Sequence, residues 1–349
     1  MMGWWAEWQA RLRKVWAIYG VRPFQIRQVA RSIEHISGPL DVTIGPDELA
    51  VFCLLRDGEL YVHSFMRHYL ALGAKHIFLL DNGSTDRTLE LARQYSQVTI
   101  LRSRLPFRTH KMALRHYLIR RFAAPNRWAL YVDVDELFDY PYSDVVPLPD
   151  FLGYLRRYGY TAVVAYMLDM FSDGPLAQLD SDIEDDLPGK YRFYDLSDVV
   201  KMDYYFPRNE LPTPEIKAYF GGIRRTLFAP EELRFVLTKH PLFLQDGRLQ
   251  PLFVDEHFAR GAQVADVTAV LYHYKFLADF AERTRRAIRE ENYHTRSEDY
   301  KKYWAKLQQA PDLSLVRPSA RELGHVNELA AQNFLYVSPR YSRWAIRRP

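Results

Sequence analysis

Two runs of residues carry chemistry by type and spacing. Asp133-Val134-Asp135-Glu136 directly follows the apolar run 128–132. On an extended chain residues i and i+2 point to the same side, so Asp133 and Asp135 aim two carboxylates into one space. Two such charges repel unless a cation lies between them. A hard divalent ion with oxygen ligands meets that need, and phosphate oxygens can complete its shell. The alternative is a solvated acidic turn after a strand. The second run, Asp81-Asn82-Gly83-Ser84-Thr85-Asp86, follows apolar residues 76–80 and leads into a helical pattern. A helix N-terminus offers free backbone donors to an anion. The same residues are also ordinary turn formers.

Elements of alternating type must position these runs. Residues 51–55, 76–80, 98–101 and 128–132 read as short buried strands. Residues 59–72, 85–95 and 111–122 read as the helices between them, with Gly73 as a C-cap of the first. Four strands joined by three helical crossovers predict a mostly parallel α/β sheet flanked by helices. Such sheets bind ligands at the carboxyl ends of their strands, where both polar runs fall. Further along, 161–168 and 264–274 read as strands, and 276–293 and 300–309 as helices. Residues 180–186 are dense in acids and read as a solvated loop.

Composition bounds the rest. The 349 residues carry 47 Lys+Arg against 43 Asp+Glu, an excess of +4 that is too small to imply nucleic-acid binding. Apolar content of 48% suits a folded chain rather than a disordered one. Cys53 is the single cysteine, so neither an internal disulfide nor a cysteine-based zinc site is available. No apolar run reaches the length of a transmembrane helix. Glu7, Arg11, Arg13 and Lys14 interrupt the N-terminal apolar positions, which argues against a signal peptide and for a cytoplasmic protein.

Taken together, the two polar runs resemble family-2-type glycosyltransferases of GT-A fold. The closer likeness is to a bacterial branch. It is carried by Leu55-Arg56-Asp57-Gly58-Glu59, Gly221-Gly222-Ile223-Arg224-Arg225, Lys239-His240-Pro241-Leu242 and Leu271-Tyr272-His273-Tyr274-Lys275-Phe276. It covers roughly residues 48–285. The resemblance implies that Asp133 and Asp135 hold Mn²⁺ or Mg²⁺ on a donor diphosphate. It implies that Asp81, Asn82 and Asp86 line the donor-nucleotide pocket, with Arg56 at its first strand end and Lys111 near a nucleotide or phosphate. His273 matches a distal third metal ligand, and the alternative is a half-buried histidine in a tyrosine-rich strand. The Glu-Asp pair that carries the base in many inverting relatives is absent. Pro230-Glu231-Glu232 reads as a helix start instead. Asp169 and Asp173 are then candidates for the acceptor side or plain turn acids. Lys239 is a candidate for stabilising the leaving diphosphate or an exposed surface lysine.

The implied activity is transfer of a sugar from a nucleotide-sugar to an acceptor hydroxyl, in surface polysaccharide or glycolipid synthesis. The acceptor is a carbohydrate or a lipid-linked one. A non-catalytic nucleotide- or sugar-binding module is the rival reading. A phosphatase using Asp-x-Asp is disfavoured, because the pair follows the fourth strand rather than the first. The catalytic domain is expected over 47–285, between a helical extension at 1–46 and another at 286–349. Trp4, Trp5, Trp8, Leu12, Val15 and Trp16 recur at helical spacing among basic residues. This predicts an amphipathic helix that docks either on a membrane surface or on the protein itself.

Overall fold

The structure, a computed structural model, describes residues 21–179, 186–206, 208–231, 235–247, 250–251, 259–290 and 298–347. A helix, Val21–Ser32, leads into strand β1 (Glu34–Ser37). Then come β2 (Leu49–Leu55), the helix Glu59–Leu72, β3 (His76–Asp81), the short helix Thr88–Ala92 and β4 (Val98–Arg102). The helix Phe107–Phe122 leads to β5 (Trp128–Tyr131), and a turn to β6 (Glu136–Asp139). The helix Leu148–Arg157 precedes β7 (Ala162–Asp169). Next are β8 (Phe193–Tyr194), β9 (Val199–Asp203) and β10 (Lys217–Gly221), followed by the helix Ile223–Phe228. After β11 (Thr238–Leu244) come β12 (Gln250–Pro251), β13 (Ala259–Arg260) and β14 (Ala269–His273). The helices Phe280–Glu290 and Glu298–Gln309, β15 (Arg321–Glu322), and the helices Val326–Ala331 and Pro339–Ile346 complete the described chain.

One nine-stranded sheet has the order β1-β4-β3-β2-β5-β11-β7-β14-β6. β5, β2, β3 and β4 pair in parallel, and so do β7 and β14. β11 is antiparallel to both β5 and β7, so the two parallel blocks run the same way. β1 and β6 are antiparallel edges. This is the mostly parallel α/β sheet flanked by helices that the alternating pattern predicts. β2, β3 and β7 are buried along their whole length, as strands covered on both faces must be, and the apolar runs at their centres follow from that.

Several expectations need correction. The helix expected over 85–95 is only Thr88–Ala92, because the side chains of Asp57 and Glu59, just beyond β2, hold Thr85 and Arg87 in a loop. The helix expected at 111 begins earlier, at Phe107. The strand expected over 264–274 narrows to Ala269–His273. Pro230 and Glu231 form a turn, and residues 232–234 lie outside the described residues. The tryptophan-rich segment 1–16 and most of the acidic stretch 180–186 also lie outside them. β1 escaped the sequence reading: it joins the edge of the sheet against β4, and the helix before it packs on Phe107–Phe122. Gly73 is the expected left-handed C-cap, at φ 102°. No described helix is long and apolar enough to cross a membrane.

Candidate functional site

Strand register decides which side chains meet. His273 at the end of β14 stands opposite Asp169 on β7 and opposite Glu136 on β6. β14 is therefore flanked at this level by an acid on each side. β11 pairs with β5 through Leu242 and Leu130, and beyond a register shift between Lys239 and Leu242 the Lys239 side chain reaches Asp133. The site thus gathers at the carboxyl ends of β5, β7 and β14, where a doubly wound sheet places its ligands.

The resulting contacts are mostly buried. His273 Nδ1 lies 2.5 Å from Asp169 Oδ1, and its Nε2 lies 3.4 Å from Asp135 Oδ2. Arg224 Nε donates to Asp169 Oδ2 at 2.8 Å. Lys239 Nζ donates to Glu136 Oε1 at 2.5 Å and to Asp133 Oδ2 at 3.3 Å. Lys239 is thus a buried counter-charge and not an exposed surface lysine. Asp169 is likewise no turn acid, since it is buried between a histidine and an arginine. Asp173 is exposed on the bend beyond β7.

One ligand atom from each of Asp135, Glu136 and His273 lies within 4.8 Å of the other two. Asp133 is not in that set. The i, i+2 argument needs an extended chain, but residues 132–135 turn, closed by Glu136 N donating to Asp133 O at 3.1 Å. Glu136, which sequence reasoning did not single out, takes the second carboxylate position. Its only signal was its place directly after the acidic pair. Asp133 and Asp135 keep 32% and 21% of their side-chain surface, so they form the open side, while Glu136 at 1% lies beneath them. Two carboxylates and an imidazole suit a Mn²⁺ or Mg²⁺ ion, so the donor set fits the group the resemblance implies.

Electrostatics follow from burial and pairing. Burial works to raise the Asp135 carboxyl, but His273, with Lys275 and Arg283, outweighs it and holds the group below the usual carboxylate range. Asp169 is also penalised by burial, yet Arg224 and His273 bring it down to about 2. Burial raises Glu136 despite Lys239, and the charges of Asp133 and Asp135 push the same way. For His273 burial opposes the charged form, but Asp135 and Asp169 overcome it and raise its pKa.

The second polar run forms a latch with the end of β2. Asp57 Oδ1 accepts from Thr85 N at 2.8 Å, and Glu59 Oε2 from Arg87 N at 3.1 Å. Asp86 accepts from the backbone of Thr88 at 3.0 Å and of Glu59 at 3.1 Å. The helix-start donors at 85, 87 and 88 are therefore taken by side chains rather than left open to an anion. Asp81 is fully buried and accepts from Ser84 N at 2.9 Å and from Arg102 Nε at 2.9 Å. Asn82 donates to Ser103 O and Leu105 O, tying β3 to the end of β4. These residues shape the loop. Arg56 is exposed beside Asp57 and 3.6 Å from Glu290. Lys111 is half-buried with its ammonium over the Phe107 ring.

No family model and no curated protein matches the chain. Among solved structures, Staphylococcus aureus TarS 1–349 is 13% identical over 75% of this chain and 72% of its own, with a TM-score of 0.32. The mannosyltransferase PcManGT from Pyrobaculum calidifontis, in complex with GDP-Man and Mn²⁺, is 18% identical over 44% of this chain and 45% of its own, at 0.25. Glucosyl-3-phosphoglycerate synthase from Mycobacterium tuberculosis, with Mn²⁺, UDP and phosphoglyceric acid, is 19% identical over 35% and 43%, at 0.23. The chain spans less than half the length of the last two.

Proposed function

We propose that the chain is a GT-A glycosyltransferase that uses Mn²⁺ or Mg²⁺ to move a sugar from a nucleotide-sugar to an acceptor hydroxyl, with inversion. One observation supports this above the others: Asp135, Glu136 and His273 converge at the carboxyl ends of a parallel sheet, beside the latched loop 81–86. Asp133 faces the same opening and adds a fourth donor, a third oxygen beside the imidazole nitrogen. When bound, the ion supplies Lewis-acid charge to the leaving nucleoside diphosphate. Arg56 and Lys111 border the donor side, and loop 81–86 holds the nucleotide by its shape and its remaining polar groups. Asp169 is engaged by His273 and Arg224, which leaves Asp173 as the candidate base for the acceptor hydroxyl. The catalytic unit is assigned to 47–285, with extensions on either side. The acceptor is assigned to surface polysaccharide or glycolipid synthesis, with the tryptophan-rich N-terminus at a membrane surface.

A thermal-shift screen of nucleoside diphosphates and nucleotide-sugars, with and without Mn²⁺, tests the reading. A ligand at 100 times its Kd stabilises the native state by about 2.7 kcal/mol. At least one nucleoside diphosphate should raise the melting temperature with Mn²⁺ and not without it. Absence of any such shift across the screen overturns the proposal. The engagement of Asp169 in ion pairs favours a second reading, a non-catalytic module that binds the donor. Release of nucleoside diphosphate over many turnovers separates the enzyme from the module.

A further inference from the structure

The side chains behind His273 form a chain of contacts that the transfer reaction does not itself require. Asp169 touches the imidazole with one oxygen, 2.5 Å from Nδ1, and accepts from Arg224 Nε with the other at 2.8 Å. Asp169, Arg224 and His273 are all buried. A histidine ring has two nitrogens, and the partner of one decides which way the other points. With Nδ1 held by Asp169, only Nε2 is left to face Asp135, Glu136 and whatever lies between them.

The anchor at the far end is built for its task. Arg224 is the second residue of the helix Ile223–Phe228, entered through Gly221 and Gly222 at φ 89° and 71°. A Cβ at Gly221 would fall 2.5 Å from Asp198 O, so the close approach of the two backbones needs glycine. Gly221 ends β10 and carries the chain directly into that helix. The Gly-Gly pair therefore serves to deliver the arginine to Asp169.

We infer that Asp169 and Arg224 are positioning residues that fix the His273 ring with Nε2 toward the Asp135–Glu136 pair, and so set the affinity of that cluster for a divalent ion. The inference rests on the reading that the cluster holds such an ion. Outer partners of this kind are worth about 10- to 100-fold in metal affinity. It also reassigns Asp169 from an acceptor-side acid to a group that acts through another residue.

Mn²⁺ binding to the full chain without nucleotide, followed by electron paramagnetic resonance, tests it. His273→Ala sets the scale of full loss. Asp169→Asn should weaken binding about 10-fold or more, and Arg224→Gln in the same direction but less. Removing one partner of a buried ion pair can unfold a protein, so the double variant Asp169→Asn/Arg224→Gln is measured beside the singles, with circular dichroism as the control. A second readout needs no variant. In ¹⁵N-histidine-labelled wild type, added Mg²⁺ should displace the proton from Nε2 of His273 and leave it on Nδ1. Wild type that binds Mn²⁺ while a folded double variant binds within twofold of it overturns the inference alone. So does a metal-bound His273 whose proton is on Nε2. Wild type that binds no Mn²⁺ overturns the metal-site reading and the inference with it.

Discussion

Lys239 and Glu136 form the most consequential buried pair. Their 2.5 Å contact takes an ammonium and a carboxylate out of water together, and each makes the other tolerable. Lys239→Met should destabilise the protein by about 3–5 kcal/mol, because Glu136 is left buried without its partner. Lys239→Met combined with Glu136→Leu should return most of that loss. Urea unfolding of the two variants checks this, and equal destabilisation of both would show that the pair is not what holds the site. Asp135 differs in kind, since its carboxylate is partly open and faces His273. Asp135→Asn should abolish the Mn²⁺-dependent thermal shift by nucleoside diphosphates and keep the fold, whereas Asp133→Asn should only reduce it. An unchanged shift in folded Asp135→Asn would remove that residue from the ion site.

Two elements behave in ways their side chains dictate. β3 begins with His76, a buried ring 2.8 Å from the Thr99 hydroxyl, and burial lowers its pKa from 6.5 to about 4. The unfolded chain therefore takes up a proton near pH 6.5 that the folded chain refuses until about pH 4. The resulting stability is fully present above pH 6.5 and is lost as the pH falls toward 4. His76→Gln should narrow the difference in unfolding midpoint between pH 7 and pH 5. A difference as wide as in wild type would assign the acid sensitivity elsewhere. The loop after β3 depends on Asp57, which sits at φ 51° and is bridged by Arg286 at 3.4 Å. Asp57→Ala should speed amide exchange at Thr85 about 10-fold or more, while Asp57→Asn, which tolerates positive φ, should speed it less. Equal protection at Thr85 in all three proteins would mean the latch does not hold the loop.

At the scale of the molecule, the segments outside the expected catalytic unit are joined to it. Val29 is wholly buried, and β1 completes the sheet edge against β4. At the other end, Ser338 donates to Asp266, which also accepts from Tyr154, and Tyr341 donates from its hydroxyl to Pro141 O. Cutting at Asp47 therefore removes part of the fold along with the tryptophans. A variant beginning at Val21 should melt within a few degrees of the full chain and lose its binding to anionic vesicles at low salt, whereas one beginning at Asp47 should melt well below it. Sedimentation with vesicles and thermal unfolding check the two halves of this expectation. Vesicle binding that survives removal of residues 1–20 would take the tryptophan-rich segment out of the membrane role.

The sequence alone determined the fold class, a mostly parallel α/β sheet flanked by helices. Continuous apolar runs such as Leu49–Leu55 and residues 77–80, separated by helical periodicity, point to a buried parallel sheet. Local grammar of this kind acts over a handful of neighbours, so it is legible in order. What the sequence did not determine is which acids meet. Glu136 replaces Asp133 beside His273 because a turn breaks the extended geometry at 132–135. Asp169, Lys239 and Arg224 acquire their partners across 55 to 106 residues of chain. Those pairings follow from strand register, from a β11 that runs against its neighbours, and from two glycines that turn a helix toward the sheet. Charge pairing depends on distances of a few ångströms, and such distances are set only once the strands are packed side by side.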